Sequence, residues 1–179
     1  MRGWLRGVER IDSPNFDARP EGVSVSLVVI HAISLPPDEF GGPGVIELFT
    51  NQLDPTAHPY YAGIHPLRVS SHFFIRRDGK IIQFVSVLCR AWHAGVSQWR
   101  GRERCNDFSI GIELEGCDTV PFDDRQYVAL ATLLERLDKQ FPGCDIAGHS
   151  DIAPGRKTDP GPFFDWTRLG ITKARDFHG

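Results

Sequence analysis

The run Val23-Ser-Val-Ser-Leu-Val-Val-Ile30 constrains the fold of this chain more than any other segment. It is rich in β-branched residues and becomes continuously apolar toward its end, which is the pattern of a central strand buried on both faces of a sheet. His31 follows the run directly. Because α/β sheets bind ligands beyond the carboxyl ends of their strands, we expect His31 to have a functional role.

Other segments predict further strands and several helices. Residues 71–76 and 80–85 flank Asp78-Gly79, a turn sequence that predicts a β-hairpin. The helix predicted at 123–140 begins with a capping-box pair, Asp123 and Gln126. Its core-facing stripe consists of four leucines with helical spacing: Leu130, Leu133, Leu134 and Leu137. The remaining predicted elements are strands at 108–116 and 145–149 and helices at 43–53 and 164–168.

The mixture of strands and helices indicates the fold class. A hairpin requires at least one antiparallel strand pair, so the sequence predicts an α/β fold with a mixed sheet and not a purely parallel one. The chain has 179 residues, of which 41% are hydrophobic and 24% charged. These values are typical of one soluble globular domain.

Charge and cysteine content limit the partners and the compartment. A formal net charge of -3 gives no reason to expect a nucleic acid or an anionic membrane as the partner. The four cysteines form no C-x-x-C pair, so free thiols in a reducing compartment are expected. The first ten residues contain no apolar signal-peptide core, and no transmembrane run occurs. We therefore expect a cytoplasmic protein.

The segment 148–162 collects several chemically active groups in one stiff loop. Prolines and glycines punctuate it and restrict the directions in which its side chains point. His149 and Asp159 are residue types that bind zinc, and the cation Lys157 lies between them. The alternative interpretation is an ordinary solvated turn rich in proline and glycine.

His31 extends this group of candidate ligands. Two adjacent strands would bring His31 and His149 together at their ends, and Asp159 is within reach of both if the loop folds back. Two imidazoles and one carboxylate leave a fourth tetrahedral position open, which is the arrangement of a catalytic zinc site. A water in that position would have a pKa of about 7 and supply hydroxide at neutral pH.

A hydrolytic zinc site also needs a proton shuttle and a partner for the oxyanion. Within 108–116, Glu113 and Glu115 share the polar face of the predicted strand, and alternation does not choose between them. Either glutamate is also explained as a solvated strand carboxylate. Lys157 could stabilise the negative charge of a tetrahedral intermediate, or it could be an exposed loop lysine.

Four segments together resemble the zinc-dependent N-acetylmuramoyl-L-alanine amidase family. They are His31-Ala-Ile-Ser-Leu-Pro-Pro, Trp92-His-Ala-Gly-Val-Ser, residues 102–116 and residues 148–162. Within that family the resemblance is strongest to the cytoplasmic enzymes of Gram-negative bacteria that act on 1,6-anhydro-N-acetylmuramyl-L-alanine. The implied fold is that of peptidoglycan recognition proteins, a central mixed β-sheet flanked by helices. The resemblance covers nearly the whole chain, from about Trp4 to Trp166.

The resemblance also implies a domain organisation and a partner. A single zinc amidase domain is expected over 1–179, with a core at about 4–169 and a C-terminal tail at 170–179. The expected partner is a small anhydro-muropeptide substrate, with no nucleic acid and no membrane. The enzyme is expected to be a monomer.

Roles for individual residues follow from the same resemblance. It implies that His31, His149 and Asp159 bind one catalytic Zn2+ ion. It also implies Glu113 as the acid/base, which resolves the choice that alternation leaves open, and Lys157 as the oxyanion stabiliser. The implied reaction hydrolyses the amide bond between the lactyl group of 1,6-anhydro-N-acetylmuramic acid and L-alanine of the stem peptide. This reaction belongs to cytoplasmic peptidoglycan recycling.

Three further residues are candidates for binding this substrate. Arg68 and Arg104 could pair with carboxylates of the stem peptide, although each is equally well explained as a surface charge. Trp92 could offer a flat face to the sugar. Ala32 departs from the family pattern, in which asparagine typically follows the first zinc histidine. Alanine has no side-chain hydrogen-bonding group, so one substrate contact of the family is in doubt.

Two alternative functions are compared with a cytoplasmic zinc amidase. A peptidoglycan-binding module without activity would typically lack metal ligands, whereas this chain retains the complete set of candidate ligands, acid/base and lysine. A phage endolysin or a periplasmic relative would act on the intact wall instead. Phage-type enzymes with this fold commonly have cysteine where Asp159 stands, and the missing export signal disfavours the periplasmic version.

Overall fold

The computed structural model describes residues 2–170. The strands are β1 (Glu9–Arg10), β2 (Phe16–Ala18), β3 (Leu27–Ile33), β4 (Phe73–Ile75), β5 (Ile81–Gln83), β6 (Cys89–Ala91), β7 (Gln98–Trp99), β8 (Arg102–Glu103), β9 (Ser109–Glu115) and β10 (Asp145–Gly148). The α-helices are α1 (Gly44–Phe49), α2 (Tyr61–Ile64), α3 (Asp124–Gln140) and α4 (His149–Ile152). Short 3-10 helices cover Cys105–Asp107 and Trp166–Leu169. The predicted tail at 170–179 lies, after Gly170, outside the described residues.

A six-stranded mixed sheet organises the molecule. Its strand order is β1-β5-β4-β9-β3-β10. The hairpin strands β4 and β5 pair antiparallel, whereas every other neighbouring pair in this sheet is parallel. The predicted fold class, a single α/β domain with a central mixed sheet flanked by helices, is therefore confirmed. No helix among residues 2–170 is long and apolar enough to cross a membrane.

The two central strands, β3 and β9, have different surroundings on their two faces. On one face, Val28, Ile30 and Ile112 belong to the apolar cluster that contains the buried leucines of α3. On the other face, Leu27 and Val29 pack in a separate cluster with residues from the loops and from α4. Side chains alternate along a strand, so the polar residues that come after Leu27 and Val29 on this second face also lie beneath the loops.

Helix α3 forms where the sequence predicts it. Asp123 caps it by accepting a hydrogen bond from the backbone N–H of Arg125 at 2.9 Å, and the Gln126 side chain completes the capping box. Leu130 and Leu133 are fully buried against the sheet. Burial of each leucine side chain contributes about 1.5–3 kcal/mol, so the apolar stripe fixes this helix on the sheet.

Several element boundaries differ from the sequence prediction, and the helix predicted at 164–168 is a short 3-10 helix at Trp166–Leu169. Strand β3 begins at Leu27 and continues past His31 to Ile33, because β9 pairs with it along its whole length. Helix α1 ends at Phe49, short of Leu53, since Asn51 adopts a left-handed backbone with φ 60°. His149 begins α4 and does not end strand β10. Both histidines therefore lie near strand ends, but neither closes a strand as the sequence predicts.

Candidate metal centre and active-site cavity

Three side chains converge at the carboxyl ends of β3 and β10. The Nδ1 atoms of His31 and His149 are 2.9 Å apart, and Oδ2 of Asp159 lies 3.2 Å from the first and 3.1 Å from the second. Ligand atoms around one tetrahedral zinc ion, with bonds of about 2.0–2.1 Å, are about 3.3 Å apart. The three atoms therefore fit around one metal ion after a small outward adjustment.

Strand register brings the two histidines together. β3 and β10 are parallel neighbours in which Ile30 is aligned with Gly148, so the next residue of each chain segment, His31 and His149, emerges at the same edge. Both histidines are almost completely buried. This is the juxtaposition that the sequence predicts from two adjacent strand ends.

The loop after α4 returns Asp159 to the same point. The backbone carbonyl oxygen of Asp159 accepts a hydrogen bond of 2.9 Å from the backbone N–H of Ser150. Pro160 packs so closely on Gly148 that a Cβ built there would lie 2.8 Å from the proline Cδ. Glycine at 148 is therefore needed for the loop to fold back.

The protonation states of His31 and Asp159 suit cation binding. Burial lowers the pKa of His31 to about 4, so its imidazole is neutral at pH 7. For Asp159, burial raises the pKa, but hydrogen bonds with His149 and His31 outweigh it and hold the pKa below the usual range. A neutral imidazole and an ionised carboxylate are the forms that coordinate metal ions.

Glu113 stands beside these three groups. It is the register partner of His31 on the neighbouring strand β9, and its Oε1 lies 3.9 Å from His31 Nδ1. Its other oxygen, Oε2, is buried and has no hydrogen-bond partner among residues 2–170. Burial raises its pKa well above the usual value, the Asp159 charge adds to this, and Lys157 opposes it.

Glu115 occupies a different environment, although it lies on the same face of β9. Its carboxylate accepts hydrogen bonds from the backbone N–H groups of Arg77, at 2.9 Å, and Gly41. It thus anchors two loops and does not line the cavity. The structure separates the two glutamates that alternation could not distinguish.

An open cavity of about 640 Å³ extends from these groups to the surface. Lys157 is exposed and lines it together with Glu113 and Asp159. Tyr60 and Leu67, which are about half exposed, form part of an apolar wall. A volume in this range accommodates a small organic ligand.

Trp92 also lines the cavity, and a polar network behind it holds its ring. The indole N–H donates to Asp17 at 3.3 Å. Arg90 binds Asp17 through two guanidinium nitrogens and reaches Asp107 with the third. Arg104 pairs with that same Asp107, with 3.4 Å between Nε and Oδ2. Sequence reasoning does not identify Asp17 or Arg90, since each is a common charged residue without a motif, and it gives Asp107 no role within the segment 102–116.

The two predicted substrate arginines lie outside the wall of this cavity in the described part of the chain. Arg68 is exposed, and its guanidinium donates to the carbonyls of His65 and Leu67 at 3.2 Å each. Arg104 is exposed beside Asp107. Their role in substrate binding stays a prediction. Ala32 lines the cavity, so the departure from the family pattern is located at the site itself.

The sheet, the three converging side chains and the adjacent glutamate have the arrangement of a candidate metal-dependent hydrolase. Residues 21–162 match the model of the N-acetylmuramoyl-L-alanine amidase family, and the chain belongs to that family.

Individual relatives make the likeness more specific. The 1,6-anhydro-N-acetylmuramyl-L-alanine amidase AmpD of Escherichia coli strain K12 is 55% identical over 177 residues, which are 98% of this chain and 97% of the relative. A crystal structure of a selenomethionine derivative of AmpD superposes with a TM-score of 0.93 at 56% identity, covering 95% of this chain and 96% of that one.

A third relative is known with a substrate. It is the N-acetylmuramyl-L-alanine amidase AmiD from E. coli in complex with the substrate anhydro-N-acetylmuramic acid-L-Ala-D-gamma-Glu-L-Lys. Its TM-score is 0.61 at 29% identity, over 85% of this chain and 59% of AmiD.

Proposed function

We propose that this chain hydrolyses the amide bond between the lactyl group of 1,6-anhydro-N-acetylmuramic acid and L-alanine of the stem peptide, with one zinc ion as cofactor. The observation that carries the proposal is the convergence of His31 Nδ1, His149 Nδ1 and Asp159 Oδ2 within 3.2 Å of one another, beside a buried glutamate. The names of the similar AmpD enzymes and the AmiD complex support the choice of substrate.

The donor set favours zinc as the ion. Two imidazole nitrogens and one carboxylate oxygen are a common catalytic zinc set, whereas Mg2+ and Ca2+ prefer oxygen ligands alone. When bound, zinc would acidify a coordinated water and polarise the amide carbonyl. Three protein ligands leave a position for that water.

Glu113 is the proposed acid/base. Its carboxyl lies beside the proposed ligands and accepts the proton of the attacking water. It then returns this proton to the leaving nitrogen of L-alanine. Burial raises the pKa of this carboxyl well above its usual value, and a raised pKa makes a carboxyl a better proton acceptor.

Lys157 is the proposed partner of the oxyanion. Lys157 lines the cavity, as Asp159 does, and its positive charge acts on both Glu113 and His31. An ammonium group placed there stabilises negative charge as it develops on the carbonyl oxygen of the substrate.

Trp92, Arg68 and Arg104 complete the proposal as substrate-binding residues. Trp92 exposes part of its ring to the cavity, which suits contact with the sugar. Arg68 directly precedes Val69 and follows Leu67, two residues of the cavity wall, so it lies close to the rim. The arginines would meet the carboxylates of the stem peptide. The proposed setting is cytoplasmic peptidoglycan recycling.

One assay tests this function. The purified chain is analysed for bound metal and incubated with anhydro-N-acetylmuramic acid-L-Ala-D-gamma-Glu-L-Lys, and the products are identified by mass spectrometry. We expect one zinc per chain and release of the free tripeptide, lost with a chelator and restored with zinc. A protein without metal that releases no peptide would be a binding module instead. Equal rates on intact sacculi would contradict the recycling role.

A further inference from the structure

The segment His93–Ala94 contacts both proposed zinc histidines on the side away from the metal position. Nδ1 of His93 lies 2.9 Å from Nε2 of His31. The carbonyl oxygen of Ala94 lies 3.1 Å from Nε2 of His149. Two consecutive residues of one loop thus meet the outer nitrogens of two imidazoles that come from different elements of the fold.

The hydrogen atoms along this series of contacts can be placed by starting from the nitrogen atoms that face the proposed metal position. A histidine that binds a cation through Nδ1 carries its proton on Nε2. The His31 Nε2–H then donates to Nδ1 of His93, which must be unprotonated to accept it. The remaining proton of His93 is on Nε2 and points at the hydroxyl oxygen of Ser109, 3.1 Å away. Each imidazole N–H in this series of contacts has an acceptor.

The surrounding structure holds the segment in place. The side-chain oxygen of Asn106 accepts hydrogen bonds from the backbone N–H groups of His93, at 3.1 Å, and Ala94, at 2.8 Å. One nitrogen of the Arg156 guanidinium donates to the carbonyls of Ala94 and Val96 at 2.7 Å each. The segment is therefore fixed by groups that do not belong to the proposed metal centre.

The His93 ring also rests directly on strand β9. A Cβ built at Gly111 would lie 2.5 Å from Cγ of His93. Glycine at this position lets the ring approach the strand backbone while it stays within hydrogen-bond distance of His31. The ring position is thus set by contacts on two sides, independently of any bound ion.

We propose that His93 is a positioning residue of the metal centre, which fixes the tautomer and the ring orientation of His31 while Ala94 does the same for His149. The inference rests on the proposed zinc site and extends it to residues outside the ligand set. Partners of this kind typically change metal affinity by about 10–100-fold when they are removed.

Two variants of similar size separate hydrogen bonding from packing. In His93→Asn the side-chain oxygen lies close to the original Nδ1 and can still accept from His31, whereas His93→Leu fills the space without an acceptor. Zinc dissociation constants are measured by competition with a chelator, and thermal unfolding of the zinc-free proteins shows whether each variant is folded. We expect a zinc dissociation constant raised about 10–100-fold for His93→Leu and close to wild type for His93→Asn.

Other results would overturn the proposal. Equal losses in both variants would show that His93 acts by packing, and unchanged affinity in a folded His93→Leu would show that it has no role. Failure of the unmodified chain to bind zinc would instead overturn the proposed function itself.

A measurement on the unmodified protein does not depend on the variants folding. Nitrogen-15 NMR of the zinc-loaded chain reports which ring nitrogen of His93 carries the proton. We expect the proton on Nε2, together with a scalar coupling through the hydrogen bond between His31 Nε2 and His93 Nδ1. A proton on Nδ1 of His93 would contradict the proposal, because that nitrogen could not then accept.

Discussion

One face of the central strands β3 and β9 packs against helix α3, and the opposite face carries the candidate metal centre. Ile30 and Ile112 lie on the first face among apolar side chains. His31 and Glu113 are the next residues along the same two strands and lie on the second face. Strand alternation therefore places a stabilising residue and a chemically active one side by side in the sequence and on opposite sides of the sheet.

The two faces also differ in how their buried groups are satisfied. The apolar face needs only close packing, whereas the polar face buries titratable groups that require partners. Glu113 Oε2 is a buried oxygen without a hydrogen-bond partner in the described part of the chain. Substitutions on the two faces should consequently have different effects. Those on the polar face should change zinc binding and rate, and those on the apolar face should change stability.

The largest effect is expected from removing a proposed ligand. In Asp159→Ala, the loss of the carboxylate should weaken zinc binding by more than the roughly 100-fold that is typical of losing an outer partner. Hydrolysis should fall to background together with the metal content. Atomic absorption on the purified variant, beside an activity assay, measures both. Full zinc occupancy with normal activity would show that Asp159 is not a ligand.

A large effect of another kind is expected at Glu113. Glu113→Gln keeps the size of the side chain but removes the proton transfer, which contributes about 10²–10⁴-fold to rate. Zinc content should stay at the wild-type value because the residue is not a proposed ligand. Glu115→Gln is the matched control on the same strand face, with a normal rate expected in whatever fraction folds. Loss of zinc from Glu113→Gln would make Glu113 a ligand, contrary to this account.

A somewhat smaller loss is expected at the cavity wall. Lys157→Met retains the length of the side chain without its charge, and loss of one oxyanion donor typically lowers kcat by about 10²–10³-fold. KM should change little, because the interaction strengthens only in the transition state. Steady-state kinetics distinguish the cases: a raised KM with normal kcat would make Lys157 a substrate-binding residue only.

A modest effect is expected from the network behind Trp92. Arg90→Gln should loosen Asp17 and thereby the indole ring, and raise KM about fivefold, equivalent to about 1 kcal/mol. The value of kcat should remain unchanged. Arg10→Gln, which removes an exposed ion pair with Asp12, is the control. Equal KM values for the wild type and Arg90→Gln would show that the network does not contribute to substrate binding.

The apolar face should show the smallest effect on catalysis. Leu133→Ala leaves a cavity under α3, and the free energy of unfolding should fall by about 2–5 kcal/mol. The kcat/KM value of the folded enzyme should stay normal. Chemical denaturation and kinetics at low temperature test this together. A lower kcat/KM in fully folded protein would show that the two faces are coupled.

The sequence allowed much of this contrast to be predicted. The capping box and leucine stripe of α3 are local signals, and both are present in the structure. The meeting of His31 with His149 followed from the rule that parallel strand ends share an edge. The choice of Glu113 over Glu115 needed the family resemblance, because both side chains lie on the same face of β9.

Other features depended on tertiary contacts that no local pattern contains. Asp17 and Arg90 are 73 residues apart in the sequence, and His31 and His93 are 62 apart. Neither contact can therefore be predicted from a local spacing pattern. The end of α1 at Phe49 depends on the backbone of Asn51, whose side chain bonds Asn15. These contacts exist only once the sheet has formed.

The central claim is that one zinc ion lies between His31, His149 and Asp159. Crystals of the zinc-loaded protein, with diffraction measured just above and just below the zinc absorption edge, test it most directly. The account predicts one anomalous peak within bonding distance of the two Nδ1 atoms and Asp159 Oδ2. A peak elsewhere, or none in protein that hydrolyses the substrate, would contradict it.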